Sequence, residues 1–164
     1  MMSTHPLRPA AAPLRLIALR VMQPELTTVA AQPTVIEAYR LTIRYHDGRH
    51  PDQVGTLVRV RGSAEGHLAV TYRRPNAKPL TLETTIDTIR YGALTTTLRQ
   101  LHFDSLDDAK NSSLVGADTW LLERASGTFH HDVILTPETA HAVYADIVAA
   151  VQTHLREAVR TINL

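Results

Sequence analysis

The most regular pattern of apolar and polar positions lies at the end of the chain. Apolar side chains recur at Ala140, Val143, Ile147, Val151, Leu155, Ala158 and Ile162, and Tyr144, Val148 and Val159 widen the stripe. This spacing is close to the 3.6-residue turn and predicts one helix over Thr136–Ile162. Thr136-Pro137-Glu138 is a start signal. It offers a hydroxyl to cap free N–H groups, a proline where no donor is needed, and a negative charge at the positive end of the dipole. At 1.5 Å per residue such a helix runs roughly 39 Å, long enough to cross a sheet. The width of its stripe favours burial on a sheet over a narrow coiled-coil seam.

Upstream the pattern changes to alternation. Over Thr34–His46, Tyr39, Leu41, Ile43 and Tyr45 share one parity, and Arg40, Thr42, Arg44 and His46 share the other. Alternation of this kind predicts a strand, which Asp47-Gly48 ends in a turn. Gly55–Arg61 and His67–Arg73 predict a hairpin around Gly62 and Gly66, with Val58, Val60, Leu68, Val70 and Tyr72 facing inward. Trp120–Ala125 and Thr128–Leu135 predict a second hairpin across Ser126-Gly127. Trp120 opens its strand beside two leucines and is expected in the core.

Two stretches carry mixed signals. Leu14–Met22 alternates and is taken as a strand at an edge, followed by a Gln23–Pro33 linker. Leu80–Phe103 is rich in threonine, which favours strand. Its Ile86, Ile89, Leu94, Leu98 and Leu101 fall on one helical side, so a helix over Thr85–His102 is preferred, with Gly92 as its weak point. Two strands turning at Tyr91-Gly92 is the competing assignment. The order of strands, helix, hairpin and helix predicts an α+β fold. It has one antiparallel sheet of about five to six strands and two helices packed on one face, leaving the other face open to water. Residues 1–13, rich in proline and alanine, are expected to be mobile, and 14–164 to form a single domain.

Composition adds exclusions. The chain has 164 residues and no cysteine. Disulfides, thiol catalysis and cysteine-based zinc sites are therefore out, and a cytoplasmic setting is expected. No apolar run approaches the ~20 residues of a membrane span, and Arg15 and Arg20 interrupt the only signal-like segment. The formal charge of +1 hides an asymmetry. Residues 34–79 carry eight basic side chains against four acids, and residues 80–136 carry four against eight.

Strand parity converts that asymmetry into a candidate surface. With the aliphatic residues inward, Arg40, Arg44, Arg59, Arg61 and Arg73 all point to the open face, where guanidiniums could hold carboxylates bidentately. Tyr39, Tyr45 and Tyr72 have the inward parity, so no aromatic side chains interleave with the arginines as a single-strand nucleic-acid surface requires. The expected partner is an acidic protein surface or a second copy of the chain. Candidate chemistry is thinner. His46 and His50, with His131 and Asp132, are donors a first-row metal could use, though their spacing matches no established site. No Gly-x-Ser-x-Gly or phosphate-binding glycine loop is present, and no cofactor is implied. The leading expectation is a non-enzymatic interaction module that is able to self-associate. The alternatives are a small His/Asp hydrolase, with or without metal, and a small-molecule carrier using the cleft between helix and sheet.

Overall fold

The computed structural model describes residues 8–110 and 116–163. Its centre is β1 (Val35–Arg44), which pairs antiparallel with both β2 (Gln53–Val60) and β5 (Thr119–Ser126). Leu41 lies between Gly55 and Leu122, and Arg40 between Thr56 and Glu123. β3 (Gly66–Tyr72) and β4 (Leu80–Ile86) extend the sheet on one side, and β6 (Phe129–Leu135) on the other. The strand order is β4-β3-β2-β1-β5-β6. The α+β class, the antiparallel sheet and both hairpins agree with the sequence pattern.

One face of the sheet is the expected core. Tyr39, Leu41, Leu68, Tyr72, Trp120 and Leu122 are buried there. α3 (Thr88–Gln100) and α4 (Val143–His154) cover it with Tyr91, Leu94, Leu98, Ile147 and Val151. Asp87 caps α3, its side chain accepting the Arg90 N–H at 2.9 Å. Leu80–Phe103 thus contains both of the forms its composition suggested, a strand and then a helix.

The second face is not open. α1 (Ala12–Arg20) sets Leu14, Ile17 and Val21 against Val54, Leu121 and Ile134. α2 (Leu26–Ala30) places Leu26 and Ala30 on Ala38 and Ala125, small residues that let it sit close. The predicted edge strand at Leu14–Met22 and the predicted linker are therefore helices. Leu14, Ile17, Ala18 and Val21 carry a helical period, but Arg15 is also buried, which blurs it. Of the N-terminal residues expected to be mobile, 1–7 lie outside the described residues, while Pro9–Ala11 form a 3-10 turn that leads into α1. Residues 111–115 also lie outside.

The closing helix is shorter than its stripe. Thr136-Pro137-Glu138 starts only a 3-10 turn, Pro137–Thr139. Ala142, at φ 54°, separates it from α4. Twelve helical residues span roughly 18 Å. Leu155 then leaves the helical region, and Arg156–Val159 form another 3-10 turn. Polar groups on the sheet account for the end. The buried Gln53 amide donates to the Ala158 carbonyl at 2.7 Å and the Arg160 carbonyl at 3.2 Å, and the Tyr72 hydroxyl donates to Arg160 at 2.7 Å. The tail is drawn down over Gly55, which has no side chain to obstruct Ala158. Among the described residues, no helix is long and apolar enough to cross a membrane.

Candidate functional site

The five arginines do not share a surface. Arg40 is 2% exposed beneath α1 and α2. Its Nε donates to Thr56 at 3.0 Å and its Nη1 to the Pro24 carbonyl at 2.6 Å. Burial pushes its pKa below the ordinary value, against the pull of Glu123 and Glu25. Arg44 is half-buried farther along the same face. Arg59 lies on the other face, its guanidinium 5.8 Å from the centre of the Tyr91 ring. Arg61 stands beyond β2 and donates to the Pro33 carbonyl at 3.0 Å, and Arg73 is exposed past the end of β3. The inward assignment of Val58 and Val60 produced the error. Leu57, not Val58, faces the α3/α4 core, and Val58 packs toward α2. A sheet covered on both sides carries apolar residues at both parities, so parity alone cannot identify a wet face.

The proposed metal residues are likewise separated. His131 faces α3, with its Nε2 2.8 Å from the Leu106 carbonyl, whereas Asp132 faces α1. Asp132 stands opposite Glu123, which pairs with Arg40. His46 lies two residues past the end of β1 and six from Arg40, about 20 Å at 3.3 Å per residue. A His/Asp hydrolytic centre drawing on both ends of the sheet therefore has no geometry. Two other triads do converge, His46 with Asp47 and Asp118, and Glu123 with His130 and Asp132. Arginines already neutralise both. Arg49 bonds Asp118 at 3.0 Å and Asp47 at 3.1 Å. Arg15 bonds Asp132 at 2.6 Å and lies 3.8 Å from Glu123, while Arg8 also pairs with Asp132. A metal would have to displace guanidiniums that are paired or buried. No residue spacing marks Glu123 and His130 as neighbours; only the β5–β6 register brings them together, at 3.0 Å.

The two edges of the sheet differ sharply. At β6, Arg8 donates to the Asp132 carbonyl at 3.3 Å, the Asp108 carboxylate accepts the Ile134 N–H at 2.8 Å, and Ala109 N–H donates to the Ile134 carbonyl at 3.0 Å. The edge is covered at Asp132–Ile134. At β4, no described residue outside the sheet bonds to the backbone. Thr81, Leu82, Glu83, Thr84 and Thr85 are all exposed, Leu82 to 45%. Ile89, in the first turn of α3, is 84% exposed. Edges are normally blunted by lysine, proline, bulges or a covering loop. β4 has one charge, Glu83, and none of those devices. The sequence pattern hid this surface because Leu82 and Ile89 look like core residues.

Comparison with protein-family models and with curated proteins finds no match to this chain.

Proposed function

We propose that the protein is a non-enzymatic interaction module whose working surface is the outer edge of β4. The occupant is β4 of a second copy, paired antiparallel across a two-fold axis. The observation that carries this reading is the contrast, among the described residues, between a β6 edge covered at Asp132–Ile134 and a bare β4 edge in one sheet. A two-fold interface is self-complementary, so the strand must tolerate its own sequence opposite it. An axis through Glu83 would set like charges face to face, which is destabilising. An axis through Leu82 pairs Leu82 with Leu82 and Glu83 with Thr81, and leaves Ile89 at the rim. Backbone hydrogen bonds supply the affinity and the leucine pair fixes the register. A chain without cysteine forms no disulfide, and the reading places it in the cytoplasm.

Light scattering on the full chain over a dilution series tests the idea. A dimer that dissociates on dilution is expected, and Leu82→Lys, which sets two ammonium groups opposite each other, should give a monomer with unchanged circular dichroism. A strict monomer up to about 100 μM, where a micromolar association would be saturated, sinks the proposal. So does a dimer indifferent to both Leu82→Lys and Ile89→Lys.

A further inference from the structure

Between the C-terminal half of α3 and the sheet lies a cavity of about 220 Å³, lined in part by Glu37, Tyr39, Leu98, Phe103 and Arg124. Its acids are already matched. Glu37 accepts a very short hydrogen bond from the Tyr91 hydroxyl and two longer ones from Arg124, at 3.3 and 3.2 Å. Asp104 takes the remaining arm of Arg124 at 2.9 Å. Arg124 is thus neutralised twice inside the cavity. Two further side chains of the lining, Arg99 and His102, are exposed, and among the described residues neither has an ion-pair or side-chain hydrogen-bond partner. His102 lies just past the end of α3, at φ 56°, with its N–H donating to the Arg99 carbonyl at 3.0 Å. The lining therefore presents one uncompensated guanidinium and an imidazole at its edge, above an apolar wall of Leu98 and Phe103.

We propose that this cavity binds a small organic carboxylate, held by Arg99 and His102 and met inside by the Tyr39 hydroxyl. The volume is below the ≈ 300 Å³ at which drug-sized pockets begin, so the occupant is small. One free guanidinium matches a carboxylate, which it can hold through two parallel N–H bonds. A phosphate dianion would leave charge uncompensated beside Glu37 and Asp104. Leu98 and Phe103 suit a ring or short aliphatic body. Tyr39 is 3% exposed, and its burial, with the Glu37 charge beside it, pushes its pKa up to about 12. At neutral pH it remains a phenol, with Arg124 beside its oxygen, whose O–H can donate to a polar group at the far end of the ligand. The site lies at the C-terminal end of α3, the end away from Ile89, and does not depend on self-association.

The test is a titration of the full chain, followed by amide NMR shifts, with 4-hydroxybenzoate and its neutral isostere 4-hydroxybenzamide. Saturable shifts are expected at Thr95, His102 and Ser105 with the acid, and binding of the amide about tenfold weaker, as loss of one charge-assisted contact implies. Arg99→Gln should weaken the acid by about tenfold, whereas Arg156→Gln should leave it unchanged. Equal affinity for acid and amide overturns the proposal, as does an unaltered affinity in Arg99→Gln. Absence of saturable shifts with either compound to about 10 mM also overturns it.

Discussion

Arg15 on α1 donates to Asp132 on β6 at 2.6 Å, and neither side chain reaches water to any extent. Burial pushes the Asp132 carboxyl up. The Arg15 hydrogen bond, the charges of Arg8 and Arg15 and the Arg8 hydrogen bond outweigh it and hold the group below its ordinary value. A carboxyl depressed on folding stabilises the protein fully above its unfolded pKa, about 4, and that contribution is lost as pH falls through the folded value. Denaturant titrations across pH should therefore show stability falling below about pH 4. Asp132→Asn should lose about 3–5 kcal/mol at neutral pH, because Arg15 is left buried with an incomplete partner set. Its acid slope should be shallower, though not flat, since Asp118 and Glu157 are also depressed. Identical slopes in wild type and variant would contradict this account of the pair.

Arg40 gives a second test, because its burial makes it a structural group and not a partner-facing one. Arg40→Ala removes the stem packed between sheet and helices along with the charge facing Glu123, and should cost about 3–5 kcal/mol. Arg40→Met keeps the stem volume and removes the charge. It should recover only the packing part of the loss, since Glu123 and the Pro24 carbonyl still lose the group that faced them. Thermal unfolding of the two variants decides it. Alanine and methionine variants both as stable as wild type would place Arg40 at the surface.

Much of this molecule was legible from periodicity. Val35–Arg44, both hairpins and the helix through Leu94 and Leu98 follow from period-2 and period-3.6 patterns. What was not legible shares a cause. Arg15, Glu123 and Asp132 are buried charges matched to one another across long sequence separations, and Arg40 is buried on Thr56 and the Pro24 carbonyl; a one-dimensional pattern reads each as a surface residue. Once Arg15 and Arg40 are read as exposed, α1 becomes a strand and the face beneath it becomes a wet arginine surface. The end of α4 was hidden in the same way, because the Gln53 and Tyr72 donors that end it lie on strands far upstream. The open β4 edge was masked by its own residues, since Leu82 and Ile89 carry no signal that separates an exposed apolar side chain from a buried one.

Two glycines should respond in opposite directions to alanine. At Gly66 a Cβ would lie 2.7 Å from Leu57 Cδ1 and 2.8 Å from Tyr91 Cδ2. The leucine tip can turn aside, but the tyrosine ring is pinned through its hydroxyl to Glu37. Gly66→Ala should cost about 1–3 kcal/mol, the range for overpacking. At Gly92, inside α3, nothing lies within 4 Å of the added carbon. Gly92→Ala should stabilise by about 1 kcal/mol through helix propensity alone. Chemical denaturation of each variant measures both, and a stabilised Gly66→Ala would show that the Tyr91 ring is free to move.

Gln53 offers a test in which the sign depends on pH. Its amide nitrogen donates to the Ala158 and Arg160 carbonyls, and its amide oxygen accepts from the Tyr45 hydroxyl at 3.0 Å. Gln53→Glu preserves the shape but replaces the donor with an oxygen. When ionised, that oxygen faces two carbonyls with nothing to offer them, and burial disfavours the charge as well. The new carboxyl should therefore titrate higher when folded than unfolded. By linkage, the folded state binds the proton more tightly, so the variant's deficit against wild type should be largest at neutral pH and shrink as pH falls toward about 4. This is the reverse of the trend expected for Asp132. Gln53→Met removes the donor at every pH, and should cost about 1–3 kcal/mol with no such recovery. Hydrogen exchange should quicken at Leu155, Ala158 and Arg160 in both variants, since the bonds that hold the tail over Gly55 are weakened. A Gln53→Glu deficit that is constant from neutral pH to about 4 would mean that the tail is not held by this amide.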